Sequence, residues 1–236
     1  MKCVDVQKDL RRLADKKQAA NLQGFFKTGD GEYGAGDIFL GLKVPQVRLL
    51  VKKYNILPLV EVEKLLQSEI HEERQCALFI LNHQFAMADL SLREKIFKLY
   101  LKNAKRVNNW DLVDGSAPYI VGAFLFECSK KEVCETLTRL VKSKNLWERR
   151  IAVLATFWFI KNKKFDEALF VAESLLNDEH DLIHKAVGWM LREVGKRSLK
   201  VETDFLDKYF KKMPRTMLRY AIEKFSGEER NGYLAC

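Results

Sequence analysis

Trp147-Glu148-Arg149-Arg150-Ile151-Ala152-Val153-Leu154-Ala155-Thr156-Phe157-Trp158-Phe159-Ile160 is the stretch that decides the fold. After its charged head it is apolar on nearly every side of a helix, the pattern of a helix buried between neighbours. That head recurs. His71-Glu72-Glu73-Arg74-Gln75-Cys76-Ala77, Trp110-Asp111-Leu112-Val113-Asp114, Trp147-Glu148-Arg149-Arg150, Leu182-Ile183-His184-Lys185-Ala186-Val187 and Met217-Leu218-Arg219-Tyr220-Ala221 each open an apolar helix, at successive offsets of 39, 37, 35 and 35 residues. Amphipathic helices are predicted between them over 91–103, 131–142 and 165–176. Strand signals are almost absent. Helix pairs at this spacing predict an all-α chain, an α-solenoid of HEAT-like helix pairs whose equivalent first turns line a concave basic groove. The predicted organisation is a single domain over 1–236, with N-terminal helices and a glycine-rich turn over 1–44, helical repeats over 45–225 and a tail over 226–236.

The totals bound the partner. At 236 residues, 47% apolar and 31% charged, the chain buries a sizeable core and is not disordered. A formal charge of +9 and a pI near 9.2 favour a polyanion. The basic charge is concentrated. Residues 139–164 carry Arg139, Lys142, Lys144, Arg149, Arg150, Lys161, Lys163 and Lys164 against Glu148 alone, and residues 208–224 are similarly basic. Residues 61–73 instead carry Glu61, Glu63, Glu69, Glu72 and Glu73. Any single run reads as a solvated helix face, but coincidence with the repeats predicts a phosphate-binding groove.

Cys3, Cys76, Cys128, Cys134 and Cys236 are scattered, with no Cys-x-x-Cys pair, a reducing-compartment pattern in which thiols act as small core residues. The start, Met1-Lys2-Cys3-Val4-Asp5, has no apolar run of signal-peptide length and no segment approaches the length of a membrane span, so a cytoplasmic protein is expected, with no membrane partner.

Several chemistries are excluded by pattern. His180 and His184 form an i, i+4 pair without Cys-x-x-Cys or His-Glu-x-x-His company, so no metal site is expected. The glycine-rich run Gly29-Asp30-Gly31-Glu32-Tyr33-Gly34-Ala35-Gly36-Asp37 lacks a P-loop ending and reads as an ordered turn. Neither Ser116 nor the cysteines have the partners of a catalytic nucleophile.

Two indoles at helix heads are the better candidates. Trp110 and Asp114 share a helix face, and Trp189 sits four residues after Lys185 in Lys185-Ala186-Val187-Gly188-Trp189-Met190-Leu191-Arg192-Glu193. Indoles and a carboxylate set among cations fit a flat, cationic group attached to something anionic, which an alkylated purine in DNA is. A purine alkylated at N3 or N7 is already a good leaving group, so its removal needs no general acid. A carboxylate stabilises the positive charge developing on the deoxyribose and holds the attacking water. Each indole contact with the cation is worth about 0.5–2 kcal/mol. Asp114, inside the helix, is the candidate for that role, whereas Asp111 reads as an N-cap or first-turn acid. Trp110 fits equally a plug between repeats. Trp189, next to Gly188, fits either close helix packing or an indole over a groove. Trp147 and Trp158 read as core.

Over residues 20–225 the chain resembles the AlkD-like DNA alkylation repair proteins, which are HEAT-like-repeat DNA glycosylases. The resemblance is carried by Phe25-Phe26-Lys27-Thr28-Gly29, Glu32-Tyr33-Gly34, Phe39-Leu40-Gly41-Leu42-Lys43-Val44-Pro45 with Arg48, Trp110-Asp111-Leu112-Val113-Asp114, Trp147-Glu148-Arg149-Arg150 and the Lys185–Glu193 run, in this order and spacing. It implies removal of cationic N3- and N7-alkylpurines from double-stranded DNA to leave an abasic site, with no metal or organic cofactor and no base flipped into a pocket. Carried over residue by residue, Asp114 is the catalytic carboxylate, and Trp110 and Trp189 pack against the lesion's sugar and backbone. Arg150 is a DNA or active-site contact, and Arg192 and Arg48 are phosphate contacts. The basic-wall reading adds Arg149 and Lys185 as DNA contacts, and a monomer is expected. Two alternatives share the fold: a catalytically silent, damage-recognising DNA-binding solenoid, and a HEAT-like protein-interaction scaffold.

Overall fold

A computed structural model describes residues 1–235; Cys236 lies outside the described residues. It forms two compact units, Met1–Ile120 and the chain from Val121 onward. The first contains α1 (Cys3–Arg12), α2 (Lys16–Phe25), α3 (Val44–Tyr54), α4 (Leu59–Leu66), α5 (His71–Met87), α6 (Leu90–Lys102) and α7 (Trp110–Asp114). The second contains α8 (Ala123–Phe126), α9 (Lys130–Val141), α10 (Leu146–Lys161), α11 (Asp166–Ser174), α12 (Asp181–Gly195), α13 (Leu199–Tyr209), α14 (Arg215–Ala221) and α15 (Gly227–Leu234). Among the described residues there is no strand, only an isolated bridge between Ile38 and Ile70.

The predicted helix heads fall within two residues of the observed starts of α5, α7, α10, α12 and α14. Side-chain caps fix several of these starts. Asn145 Oδ1 accepts from Trp147 N at 2.8 Å, Asn109 Oδ1 from Trp110 N at 2.8 Å, and Ser129 closes a capping box with Glu132.

Each unit has its own core. In the first, α5 packs on α3 and α4, and Leu65, Leu66, Leu78, Ile80, Leu81 and Ile96 lose essentially all contact with water. In the second, α10 lies among α9, α11 and α12, with Ile151 through Thr156 buried in succession, which is why that stretch has no polar face. Burying each such Leu or Ile stabilises by about 1.5–3 kcal/mol before chain entropy is counted. Trp147 is buried as expected. Trp158 is not core but only half-buried: with Phe157 it lies on the side of α10 that its neighbours do not fully cover, and the Lys161 ammonium stands 5.2 Å from its ring. Gly188 meets the close-packing reading: a Cβ there would stand 2.4 Å from the Met217 carbonyl oxygen of α14.

Cys3 and Cys76 are buried, and burial pushes the Cys76 thiol up to about 12; Cys134 is exposed. No helix among the described residues is long and apolar enough to cross a membrane.

Candidate functional site

The glycine-rich segment builds the floor of the site in the first unit. Gly31 and Gly36 take φ of 78° and 82°, left-handed values that favour glycine. Gly34 brings the backbone so close that a Cβ would stand 2.4 Å from the Phe26 carbonyl oxygen. These turns fold the segment over the head of α5. Glu72 there accepts from the backbone N–H groups of Leu40, Gly41 and Leu42 at 2.9, 2.8 and 3.1 Å. Glu73 accepts from Gln7, Arg11 and Ser68. The two acids therefore belong to no solvated acidic face; their charges are spent inside the fold.

The same head holds a chain of charges. Asp37 Oδ2 accepts from His71 Nδ1 at 3.0 Å and Asn109 Nδ2 at 3.2 Å, while Asp37 Oδ1 accepts from Arg74. On the other side of the imidazole, Asp111 Oδ2 accepts from His71 Nε2 at 2.9 Å and Gln75 Nε2 at 3.0 Å. Burial disfavours charge on His71, but the carboxylates of Asp111 and Asp37 outweigh it and raise the ring to about 9. At neutral pH both ring nitrogens therefore carry protons and both donate. Burial also works to raise Asp37, yet His71, Arg74 and Asn109 hold it below the usual carboxylate range. Asp111 is a first-turn acid, but the N-cap is Asn109, and the side chain of Asp111 serves His71 and Gln75.

Above this chain lies a layer of rings. Phe39 stacks on His71 (centroids 4.4 Å apart), Phe26 on Phe39 (5.0 Å) and Trp110 on Phe26 (5.2 Å), with Phe25 edge-on to Phe26 and Trp110. The half-buried indole of Trp110 also donates from Nε1 to the Tyr33 hydroxyl at 3.2 Å. Trp110 is thus neither an enclosed plug nor a free ring. One turn on, Asp114 is half-exposed at the end of α7. That end is held by Asn82 Nδ2 donating to the Gly115 carbonyl at 2.7 Å and by Ser116, which donates to the Leu112 carbonyl and pairs with Tyr100 at 2.8 Å. Burial raises the buried Tyr100 hydroxyl, and the charge of Asp114 adds to the rise. Arg48, exposed on α3, lies over the Phe79 ring at 5.4 Å; that ring approaches Gly115, next to Asp114.

The second unit brings together Arg150, Lys185, Trp189 and Arg192. Arg150 is buried, and its Nη1 donates to the Leu182 carbonyl at 2.5 Å, tying the head of α10 to the head of α12. Along α12, Lys185 pairs with Asp181 at 2.6 Å, the half-buried Trp189 donates to Glu193 at 3.4 Å, and Arg192 pairs with Glu223. Arg149 is turned inward: it binds Asp178 at 2.6 Å and the carbonyls of Ser143 and Lys144 at 3.0 and 3.2 Å. The basic run of 139–164 is also divided by α10, whose sixteen residues put Arg149 and Lys161 at opposite ends, roughly 20 Å apart.

Comparison with known proteins fixes the family. A family model described as "DNA alkylation repair enzyme" matches residues 6–225. The chain belongs to the DNA alkylation repair enzyme family. No curated protein matches it. Among solved structures, the "predicted DNA alkylation repair enzyme" of Enterococcus faecalis is similar at a TM-score of 0.71 and 17% identity, covering 91% of this chain and 97% of that one. AlkD2 of Streptococcus mutans is similar at a TM-score of 0.57 and 20% identity, covering 95% and 97%. These likenesses speak to the fold; the family match assigns a role in DNA alkylation repair, with DNA as the partner. No cluster of three or more His, Cys, Asp or Glu among the described residues is placed to hold a metal ion.

Asp37, His71, Phe25, Phe26 and Phe39 were not singled out as site residues by the sequence, whereas Trp110 was. The available signal was five successive polar residues, His71 through Gln75, at the head of an apolar helix, all of them buried in the structure.

Proposed function

We propose that this family member is a monofunctional DNA glycosylase that hydrolyses the N-glycosidic bond of N3- or N7-alkylated purines in duplex DNA. The observation that carries the reading is α7: one short helix presents a half-buried indole and, four residues later, a half-exposed carboxylate, both held from behind. In the proposed reaction the C1′–N bond breaks and its electron pair leaves with the base, cancelling the positive charge that alkylation placed there. Asp114 faces the cationic sugar, stabilises it through space and accepts a hydrogen bond from the water that adds to C1′. The proton lost by that water passes to Asp114 and then to solvent. Trp110 lies against the lesion's sugar and holds Asp114 in register through the shared helix.

In the second unit, Trp189 offers DNA an apolar surface, Arg150 is a DNA or active-site contact, and Lys185 and Arg192 supply positive charge to phosphates; in the first unit Arg48 does the same. Pairing of Lys185 with Asp181 and Arg192 with Glu223 supports a site in which DNA exchanges one anionic partner for another. Arg149, committed to Asp178, serves DNA by shaping the turn before α10. The reading includes a monomer, no cofactor, no base flipped into a pocket, and a cytoplasmic location on nucleoid DNA. Its test is the chromatographic release of 3-methyladenine or 7-methylguanine from methylated duplex by the wild-type protein. Salt-sensitive DNA binding without release would leave a silent damage-binding protein in its place.

A further inference from the structure

Close to Trp110, the first unit holds a buried titratable group to which the proposed hydrolysis gives no role. The His71 ring is 1% exposed, with Phe39 stacked on it at 4.4 Å and Phe26 tilted to it at 5.3 Å. It closes a cycle of hydrogen bonds at the start of α7. Asp37 Oδ2 accepts from His71 Nδ1 at 3.0 Å and from Asn109 Nδ2 at 3.2 Å, and Asp111 Oδ2 accepts from His71 Nε2 at 2.9 Å. Asn109 and Asp111 flank Trp110, so the cycle grips the chain on both sides of the indole. A helix of five residues is far below the roughly 12–15 at which one becomes marginally stable alone, so α7 takes its position from such contacts. His71 shares Asp111 with Gln75, while Asp111 Oδ1 is buried without a partner.

The cycle depends on the charge of the ring. A neutral imidazole donates from one nitrogen only and turns the lone pair of the other toward a carboxylate. The surrounding groups match the imidazolium. Asp37 comes from the glycine-rich segment, Asp111 from α7, and Arg74 of α5 binds Asp37, so a protonated ring sets two positive charges against two negative ones. Of the other charged groups nearby, Glu72 is taken up by backbone N–H groups and Glu73 by Arg11; Lys43 lines the same cavity as His71, and Arg106 acts on Arg74. We infer that His71 is a positioning residue for base release: its imidazolium, donating to Asp37 and Asp111 at once, holds the first turn of α7 so that Trp110 and Asp114 meet the lesion in register. The inference rests on the glycosylase reading of that pair. The far end of α7 has its own supports in Asn82 and Ser116, so loss of the ring proton shifts the indole relative to the carboxylate.

The test follows two readouts between pH 6.5 and 10 in the full chain, wild type and Asp111→Asn. One is the imidazole ¹⁵N resonances of His71, assigned by their loss in His71→Gln. The other is single-turnover release of 3-methyladenine and 7-methylguanine from methylated duplex, corrected for uncatalysed release at each pH. The wild-type ring should be doubly protonated at pH 7 and lose a proton near 9, with release falling at least tenfold across the same midpoint and DNA affinity changing less than threefold. Asp111→Asn removes one of the two carboxylates at nearly constant shape, so both midpoints should move together to lower pH. His71→Gln, with a single donor, should release base at least tenfold more slowly at pH 7 and show no alkaline fall; if it does not fold, the paired midpoints still decide. A neutral wild-type ring at pH 7, or a release profile that stays in place while the imidazole midpoint moves, overturns the inference and leaves the glycosylase reading standing. No release by either protein at any pH removes the glycosylase reading and the positioning role with it, whatever the imidazole does.

Discussion

The heads of α5 and α10 hold equivalent places in the repeat, yet different segments cover their polar side chains. In α5, the five residues from His71 to Gln75 are all buried, and each has partners from elements 30 or more residues away in sequence or from the loop just before the helix. In α10, Trp147 fills space, Arg149 binds Asp178 and the Ser143 carbonyl, and the buried Arg150 donates to the Leu182 carbonyl. The difference comes from what covers each head. The glycine-rich segment folds over α5 and delivers Asp37, whereas Arg149 meets Asp178 in the short turn after α11. A repeat fixes where a first turn lies; the insertion beside it decides whether a buried network of charges is sealed over it.

The largest test of that contrast is Asp37→Ala. It strands two buried cations, His71 and Arg74, and should lower stability by about 3–5 kcal/mol, read from hydrogen exchange of α5 amides. Arg149→Met removes one cation from an acid that still accepts from His180 N at 2.9 Å, and should cost only about 1–2 kcal/mol. Equal losses would dissolve the distinction between a sealed head and an edge.

Acid–base titration sharpens it further. The folded His71 ring, at about 9, lies above its ordinary 6.5, so its contribution is complete below pH 6.5 and is lost as pH rises through 9. The loss should amount to roughly 3 kcal/mol, measured as a falling urea midpoint between those pH values. The second unit has a buried carboxyl of the opposite kind. Burial pushes Glu202 up to about 8, with the charge of Arg192 opposing, and its Oε1 has no hydrogen-bond partner. This carboxyl is harmless below about 4.5 and increasingly destabilising up to pH 8. Glu202→Gln should therefore stabilise by about 4 kcal/mol at pH 8 and change little at pH 4. The smallest effect is expected at Arg48→Ala, under 1 kcal/mol in stability, with the salt dependence of DNA affinity shallower by about one phosphate contact.

The fold was legible because burial on all sides of a helix leaves a local trace: Ile151–Ile160 has no polar face, and its charged head recurs at near-equal offsets. The candidate pair on α7 was legible for the same reason, since i, i+4 spacing is local. The network behind it was not. Glu72 and Glu73 read as part of an acidic run, because nothing within a helical turn of them reveals that Leu40, Gly41 and Leu42 will donate to one and Arg11 to the other. His71 had no sequence neighbour to mark it; its two carboxylates lie 34 and 40 residues away. Asp111 resembled a cap because first-turn acids usually are favourable there, but Asn109 had already taken that role.

The most direct measurement compares wild type with Asp114→Asn on duplex DNA carrying 7-methylguanine and 3-methyladenine, recording free base released in a single turnover and, in parallel, DNA affinity. The account predicts release by the wild type, a loss of at least a hundredfold in the variant, and affinity changed by less than threefold. Release undiminished in Asp114→Asn would contradict the assignment of that carboxylate to the chemistry.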